Sequence, residues 1–183
     1  MNYLVIKGAV KKYILLLLFQ TLIFCKGPMV SENSRTVHER MGEEIFFPDK
    51  ISGDPRDKPI NDNLKIVTRI NGNCYPCLSQ LKYWTKLIDE ITSKFSVSFY
   101  IFIVANDYEI FNLINEKEMH FDYPVVYDHN DEFSKINRLP QNDIFHTMLL
   151  TRDNKIILIG NPIHNNVLKD LYIKEILKHQ SDR

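Results

Sequence analysis

The sequence predicts an α/β fold with a central, mainly parallel sheet that carries an antiparallel hairpin near its C-terminal end and helices on both faces. Three observations predict it. Strand and helix patterns alternate from Asn63 onward. Residues 97–105 are apolar nearly throughout, as is typical of a parallel strand covered on both faces. Arg152-Asp153-Asn154 separates two short strand-like runs, which indicates a hairpin.

The predicted elements follow one another without a repeat. Residues 64–70 form the first strand, and the helix 77–95 follows. Pro76 lies in the first turn of that helix, where a proline costs no hydrogen bond. The helix carries apolar residues at steps of three or four, which gives it one apolar face: Cys77, Leu81, Trp84, Ile88, Ile91 and Phe95. The remaining elements are strand 97–105, helix 107–117, strand 123–127, helix 131–139, hairpin strands 146–151 and 155–160, and helix 165–179. In this last helix, the residues predicted to face inward are Leu168, Leu171, Tyr172 and Ile176.

Composition limits the classes of function. The chain has 183 residues, of which 44% are hydrophobic, and this is enough for one domain with a real core. The formal net charge is zero and no long basic run occurs, so a nucleic-acid partner is not expected. We predict three regions: residues 1–25 as an export signal or membrane anchor, residues 26–62 as a polar tether in which residues 44–48 add a short edge strand, and residues 63–183 as the folded domain.

The N-terminus predicts export. Lys11 and Lys12 precede the apolar run 13–25, which has the length of the hydrophobic region of a secretory signal and is short for a bilayer span. Residues 22–25 resemble a lipobox, so Cys25 is predicted to carry lipid and to anchor the protein in the cell envelope, on the periplasmic side. The large Phe24 departs from the small residue usual before a lipid-bearing cysteine. An uncleaved anchor and a plain signal peptide are the alternatives.

The pair Cys74-Tyr75-Pro76-Cys77 carries the chemistry. It lies between the first strand and the following helix, where unpaired backbone N–H groups favour a thiolate on the first cysteine. The second thiol, three residues on, is within reach to close a disulfide. Half of a zinc site has the same spacing, but no second Cys-x-x-Cys or His pair accompanies it.

Residues 60–180 resemble the thioredoxin superfamily, in particular its exported, membrane-tethered TlpA-like branch. The resemblance rests on the Cys74–Cys77 motif, on the extra helix and strand before the hairpin, and on residues 147–156 (TMLLTRDNKI). It implies that Cys74 attacks a disulfide and Cys77 resolves the mixed disulfide without a dissociable cofactor or a metal. The partners implied are protein disulfides or dithiols and an upstream redox partner in the envelope. Pro76, before the second cysteine, favours the reducing direction.

Three positions depart from the family pattern. The family usually has a cis-proline at the start of the hairpin strand, where this chain has Phe145 or His146, so the loop 141–145 is predicted to run trans. The family's buried carboxylate falls on Thr68, so that Cys77 must be deprotonated by water or by another group. Asn73 replaces the common aromatic residue before the first cysteine.

Four residues are predicted to contact a protein partner, namely Tyr75, Pro76, Phe145 and His146. His146, at the proline position, could also stabilise a thiolate. Two alternatives to an oxidoreductase stay open at this point. One is a metal-binding module that uses Cys74, Cys77 and His146, and the other is a redox-inactive, thioredoxin-like binding domain in which the two cysteines form a structural staple.

Overall fold

The computed structural model describes residues 32–48 and 64–181. Residues 37–183 form one compact unit, and its described part contains the sheet. The predicted export signal, Cys25 and most of the predicted tether lie outside the described residues. Among the described helices, none has the length and apolar character that a membrane span requires.

The described elements alternate as the sequence predicts. The helices are α1 (Glu32–Arg40), α2 (Tyr75–Leu78), α3 (Leu81–Thr92), α4 (Tyr108–Ile114), α5 (Glu132–Ile136) and α6 (Asn166–Ser181). The strands are β1 (Leu64–Asn71), β2 (Ser98–Val104), β3 (Val125–Tyr127), β4 (Thr147–Thr151) and β5 (Ile156–Ile159). A π-helical segment, Asn115–Met119, continues α4, and the 3-10 turns Asp143–His146 and Pro162–His164 precede β4 and α6.

The five strands form one mixed sheet in the order β3-β2-β1-β4-β5. β1 pairs in parallel with β2, and β2 with β3, whereas β4 is antiparallel to both β1 and β5. The turn between β4 and β5 places Asn154 at a φ of 60°, a conformation that asparagine tolerates better than most residues. The predicted parallel sheet with an antiparallel hairpin is therefore confirmed.

Alternation along the strands divides the core between the two faces of the sheet. On β2, Ile101 and Ile103 point to one face, and Tyr100 and Phe102 point to the other. The first face is covered by α3, α4 and α6 through buried residues that include Trp84, Phe111, Tyr172 and Ile176. The second face is covered by α5 through Phe133 and by Ile45. Helices on both faces are thus confirmed.

The predicted helix 77–95 is two helices, and this corrects the sequence prediction. Ser79 and Gln80 separate α2 from α3. The Ser79 hydroxyl donates to the Pro76 carbonyl at 2.7 Å, and Gln80 N–H donates to the Cys77 carbonyl at 3.2 Å, three residues back. These bonds tighten the turn and end α2. The apolar face is nevertheless as predicted, because Leu81, Trp84, Ile88 and Ile91 are all buried.

Two smaller corrections concern the ends of the domain. Residues 32–40, predicted as tether, form α1, which has Glu32 in its first turn and Arg40 in its last, where they complement the helix dipole. Residues 44–48, predicted as a short edge strand, form no strand, and Glu44 alone makes an antiparallel bridge with Lys155. Leu171, predicted to face inward, is 43% exposed, because the inward row of α6 passes through Tyr172 and Ile176.

Candidate active site

The two motif cysteines form a disulfide at the carboxyl end of β1. Their Cα atoms are 5.1 Å apart. Cys74 occupies the N-cap of α2 in an extended conformation, and its Sγ accepts a hydrogen bond from Cys77 N–H at 3.3 Å. Pro76 lies in the first turn, where its missing N–H leaves no bond unmade. The pair is therefore placed as the sequence predicts, with Cys74 at the start of a helix.

The loop before Cys74 is fixed by backbone packing and by two asparagines. A Cβ added at Gly72 would lie 2.8 Å from the Ala105 Cβ, so only glycine fits there. Asn71 Oδ1 accepts from Asn73 N–H at 3.0 Å, and Asn73 Oδ1 accepts from Asn106 N–H at 2.9 Å. Asn73, which replaces an aromatic residue of the family pattern, thus ties the motif loop to the segment that follows β2.

The two cysteines differ in their surroundings. Both are half-buried, but Cys77 packs against the core that includes Trp84, whereas Cys74 is flanked by the exposed Tyr75 and Pro76. Tyr75 is 53% exposed, and its hydroxyl donates to the Glu118 carboxylate. This hydrogen bond, assisted by the negative charge of Glu118, raises the pKa of Tyr75 above its usual range. Tyr75 and Pro76 are available at the surface, and their contact with a partner stays a prediction.

A cavity of about 380 Å³ lies beside Cys77. Residues from β1, α2, the turn before β4 and the segment after β5 line it. Its polar and ionisable lining groups are Thr68, Arg69, Asn71, Cys77, Gln80, Asp143, His146, Thr147, Asn161 and Asn165. Cys77 is thus the motif cysteine that lines this polar cavity.

Thr68, where the resemblance to the thioredoxin superfamily would place a carboxylate, is buried in this structure. Its hydroxyl lies 2.8 Å from the Thr147 hydroxyl, on the neighbouring strand β4. Since either hydroxyl can donate, the two satisfy each other, and neither can ionise near neutral pH. Thr68 therefore cannot take the proton of Cys77, and it stays a prediction that water or another group does so.

We expect Thr68→Val to lower the free energy of unfolding by about 1–3 kcal/mol, because it leaves the buried Thr147 hydroxyl without its partner. Thr147→Val should have a similar effect. The double variant should lose less stability than the sum of the two single losses, because it has no buried hydroxyl that lacks a hydrogen-bond partner. Chemical denaturation of the four proteins measures this, and strictly additive losses would contradict the pairing.

His146 is buried, and each of its two ring nitrogens faces an oxygen atom. Its Nε2 lies 3.1 Å from the Pro140 carbonyl oxygen and its Nδ1 lies 3.2 Å from Asp143 Oδ1. Burial, followed by the positive charge of Arg69, lowers the pKa of His146 below its usual value, against the opposing effects of Pro140, Asp143 and Asp131. Among the described residues, no group of three His, Cys, Asp or Glu side chains is placed to hold a metal ion. The alternative Cys74, Cys77 and His146 metal site is therefore not assembled.

Phe145 was predicted to contact a partner, and the structure corrects this. Only 2% of Phe145 is exposed, and it packs in the core on the second face of the sheet. The 3-10 turn Asp143–His146, capped by Asn142 Oδ1, directs the ring inward. No peptide bond is cis in the described part of the chain, so the predicted trans course of residues 141–145 is confirmed.

An ion pair that the sequence did not predict lies next to His146. The Arg69 guanidinium donates to both carboxylate oxygens of Asp131, at 2.8 and 3.2 Å. Burial raises the pKa of Asp131, but the hydrogen bonds from Arg69 and its positive charge outweigh this effect and lower that pKa overall. Sixty-two positions separate the two residues, so no local pattern could reveal the pair.

No family model matches the sequence, and no curated protein matches it. Solved structures do match. The thioredoxin domain of a thiol-disulfide oxidoreductase from Bacteroides vulgatus is 14% identical, with a TM-score of 0.54 over 72% of this chain and 96% of that one. A candidate thiol:disulfide interchange protein DsbE from Chlorobium tepidum is 12% identical, with a TM-score of 0.50 and the same coverage.

A third solved structure, a candidate thiol-disulfide oxidoreductase from Bacteroides vulgatus, is 13% identical and has a TM-score of 0.50, over 63% of this chain and 75% of that one. At these identities the likeness establishes the fold alone. The predicted thioredoxin-like fold is therefore confirmed, and this chain combines it with a Cys74–Cys77 disulfide.

Proposed function

We propose that this protein is an exported thiol–disulfide oxidoreductase that exchanges disulfides with proteins of the cell envelope and works in the reducing direction. The observation that carries the proposal is the Cys74–Cys77 disulfide at the N-terminus of α2, with the Cys74 sulfur bonded to a backbone N–H. A sulfur held in this way is favoured as a thiolate once the disulfide is opened.

The reaction in the reducing direction begins with the dithiol form. The Cys74 thiolate attacks one sulfur of a substrate disulfide, whose other sulfur leaves as a thiolate and takes up a proton. Cys77 then loses its proton and attacks Cys74 Sγ, which forms the Cys74–Cys77 disulfide and releases the second substrate thiol. The substrate gains two electrons and two protons, and an upstream dithiol partner in the envelope must supply the same number to regenerate the enzyme.

The surroundings of the two cysteines support this order. Cys74 lies between the loop fixed by Asn73 and the exposed Tyr75 and Pro76, so a protein disulfide can approach it. Cys77 packs against the core and opens on the cavity instead. A substrate therefore meets Cys74 first, and Cys77 is reserved for the second step. The solved structures with the same fold include proteins named as thiol-disulfide oxidoreductases, which supports this proposal.

Turnover on a protein disulfide tests the proposal. The native protein should accelerate the reduction of a disulfide-bonded protein by a small dithiol at catalytic concentration, and Cys74→Ser should remove the acceleration. Cys25→Ser, which leaves the folded domain intact, is the matched control and should turn over at the native rate. A native protein that fails to accelerate the reduction would contradict the function.

The cellular location is part of the proposal and rests on the sequence. The apolar run 13–25 after Lys11 and Lys12 supports export, and the lipobox-like residues 22–25 support lipid attachment at Cys25. We expect Cys25→Ser to move the protein from the membrane to the soluble fraction or to stall its processing. An unchanged membrane fraction with unchanged mass would instead favour an uncleaved anchor.

A further inference from the structure

Resolution of the mixed disulfide requires a proton acceptor for Cys77, and the cavity beside Cys77 offers few. Thr68 holds the place of the family's carboxylate and is paired with Thr147. Most other lining groups are amides or hydroxyls, which do not accept a proton near neutral pH, and Arg69 is a permanent cation. The lining groups that can accept a proton are His146 and Asp143.

Of these two, His146 suits the task better. Asp143 is 93% exposed in its side chain, and a carboxylate is a weaker base than an imidazole. The side chain of His146 is only 10% exposed. Since proton transfer is most efficient when the acceptor's pKa lies near the working pH, the buried imidazole is the more effective base.

The hydrogen bond of His146 to Pro140 leaves Nδ1 as the nitrogen without a proton. The Pro140 carbonyl can only accept, so Nε2 carries the proton of the neutral ring. Nδ1 then presents its lone pair towards Asp143 Oδ1, 3.2 Å away. In the neutral ring these two atoms repel each other, and a proton arriving on Nδ1 turns the repulsion into a charge-assisted hydrogen bond.

The charges around His146 keep it ready to accept. Arg69 on β1 disfavours a second positive charge, while Asp131 and Asp143 oppose this effect. Because burial and Arg69 prevail and hold the pKa of His146 below its usual value, the ring is neutral at pH 7. Cys77, across the cavity, is the thiol that this neutral base would serve.

The cavity provides the connection between Cys77 and His146. At about 380 Å³ it has room for several water molecules, and its hydroxyl and amide groups supply the partners that ordered water needs. In the Thr68–Thr147 pair, one hydroxyl donates to the other, which keeps its own proton to give elsewhere. The cavity therefore has the room and the polar groups to hold water between Cys77 and His146, which both line it.

We infer that the His146 imidazole, positioned by Asp143 and the Pro140 carbonyl, accepts the proton of the Cys77 thiol through water in this cavity while Cys77 attacks the mixed disulfide. The inference rests on the proposed function and adds the proton acceptor that it lacks. The S–H bond of Cys77 breaks, the Cys77–Cys74 bond forms, the substrate sulfur leaves with the electron pair, and His146 later returns the proton to the leaving thiolate or to solvent.

A two-phase reaction with dithiobis(nitrobenzoate) tests this inference on the reduced full-length protein. Attack by Cys74 releases one coloured thiolate, and resolution by Cys77 releases the second. Cys25, the third cysteine, is replaced by serine in every protein compared, so that it releases none. We expect His146→Gln to slow the second phase about 100-fold near pH 7, which is the lower end of general-base effects, and to leave the first phase unchanged. The difference should shrink as the pH rises, because a thiol that has already lost its proton to solvent needs no base.

Three further variants separate a proton acceptor from a merely structural residue. His146→Ala should be rescued by added imidazole in proportion to its concentration. Asp143→Asn, which keeps the ring, should slow the second phase by up to about fivefold, as expected for an exposed ion pair. His164→Gln, the matched control, removes an exposed histidine that does not line the cavity and should behave as the native protein.

The outcomes are distinct. A second phase that is unchanged in His146→Gln, or one that is slowed equally at every pH without imidazole rescue, would overturn the inference. A native protein that releases no coloured thiolate, or only one equivalent, would overturn the proposed function itself. His146 would be established as the proton acceptor if His146→Gln slows only the second phase, does so only near neutral pH, and imidazole rescues His146→Ala.

Discussion

Replacing Cys77 by alanine should convert the protein into a trap for its substrates. Cys74 would still attack a substrate disulfide, but no second thiol could release the product, so mixed disulfides with envelope proteins should accumulate. Cys74→Ala should trap few, because Cys77 packs against the core and opens on the cavity rather than on the exposed surface beside Tyr75. The expected difference is close to all-or-none.

The trapped species can be measured as bands that disappear on reduction, in non-reducing gels of cells treated with an alkylating agent. The variant with both cysteines replaced is the matched control and should show no such bands. Equal trapping by the two single variants, or equal alkylation rates of the two thiols at neutral pH, would contradict the division of labour between Cys74 and Cys77.

A large loss of stability is expected for Phe102→Ala. Phe102 lies on β2 with none of its surface exposed, and its ring stacks on Phe133 with a centroid distance of 4.2 Å. Deleting the ring removes this contact and leaves a cavity between the sheet and α5. We therefore expect the free energy of unfolding to fall by about 3–5 kcal/mol.

The matched control is Phe46→Ala, which deletes the same ring from a site that is 56% exposed. The two hydrogen bonds between the Phe46 main chain and the Asn137 side chain do not involve the ring and remain. This variant should lose about 0.5 kcal/mol or less. Denaturant titration of both variants tests the assignment of the core, and similar losses for the two would contradict it.

The fold could be predicted because its signals are local. A nearly continuous apolar run marked β2, apolar spacing marked α3, and the turn residues between β4 and β5 marked the hairpin. The break between α2 and α3 could not be predicted from that spacing, since Leu81 continues the apolar row begun by Cys77 across it. The break depends on the backbone bonds of Ser79 and Gln80, which periodicity does not register.

The site could be predicted only in part. The spacing of Cys74 and Cys77 identifies them as site residues, and Tyr75 is identified by its position between them. The burial of Phe145 depends on a short 3-10 turn, and the pairing of Arg69 with Asp131 depends on contacts between distant segments. The sequence position of His146 made it a candidate site residue. The oxygen atoms of Pro140 and Asp143 that face its ring nitrogens are brought there only by the folded turn, and no sequence pattern predicts them.

The central claim is that Cys74 and Cys77 interconvert between disulfide and dithiol, and the reduction potential of the pair, measured with a metal analysis on the same sample, tests it most directly. We expect a reversible two-electron transition within the range of catalytic members of this fold, about −270 to −120 mV, in protein without stoichiometric metal. A reduction potential below about −300 mV would instead indicate a structural disulfide that does not take part in exchange. Stoichiometric zinc that is lost in Cys74→Ala would make the pair a metal site, and either result would contradict the claim.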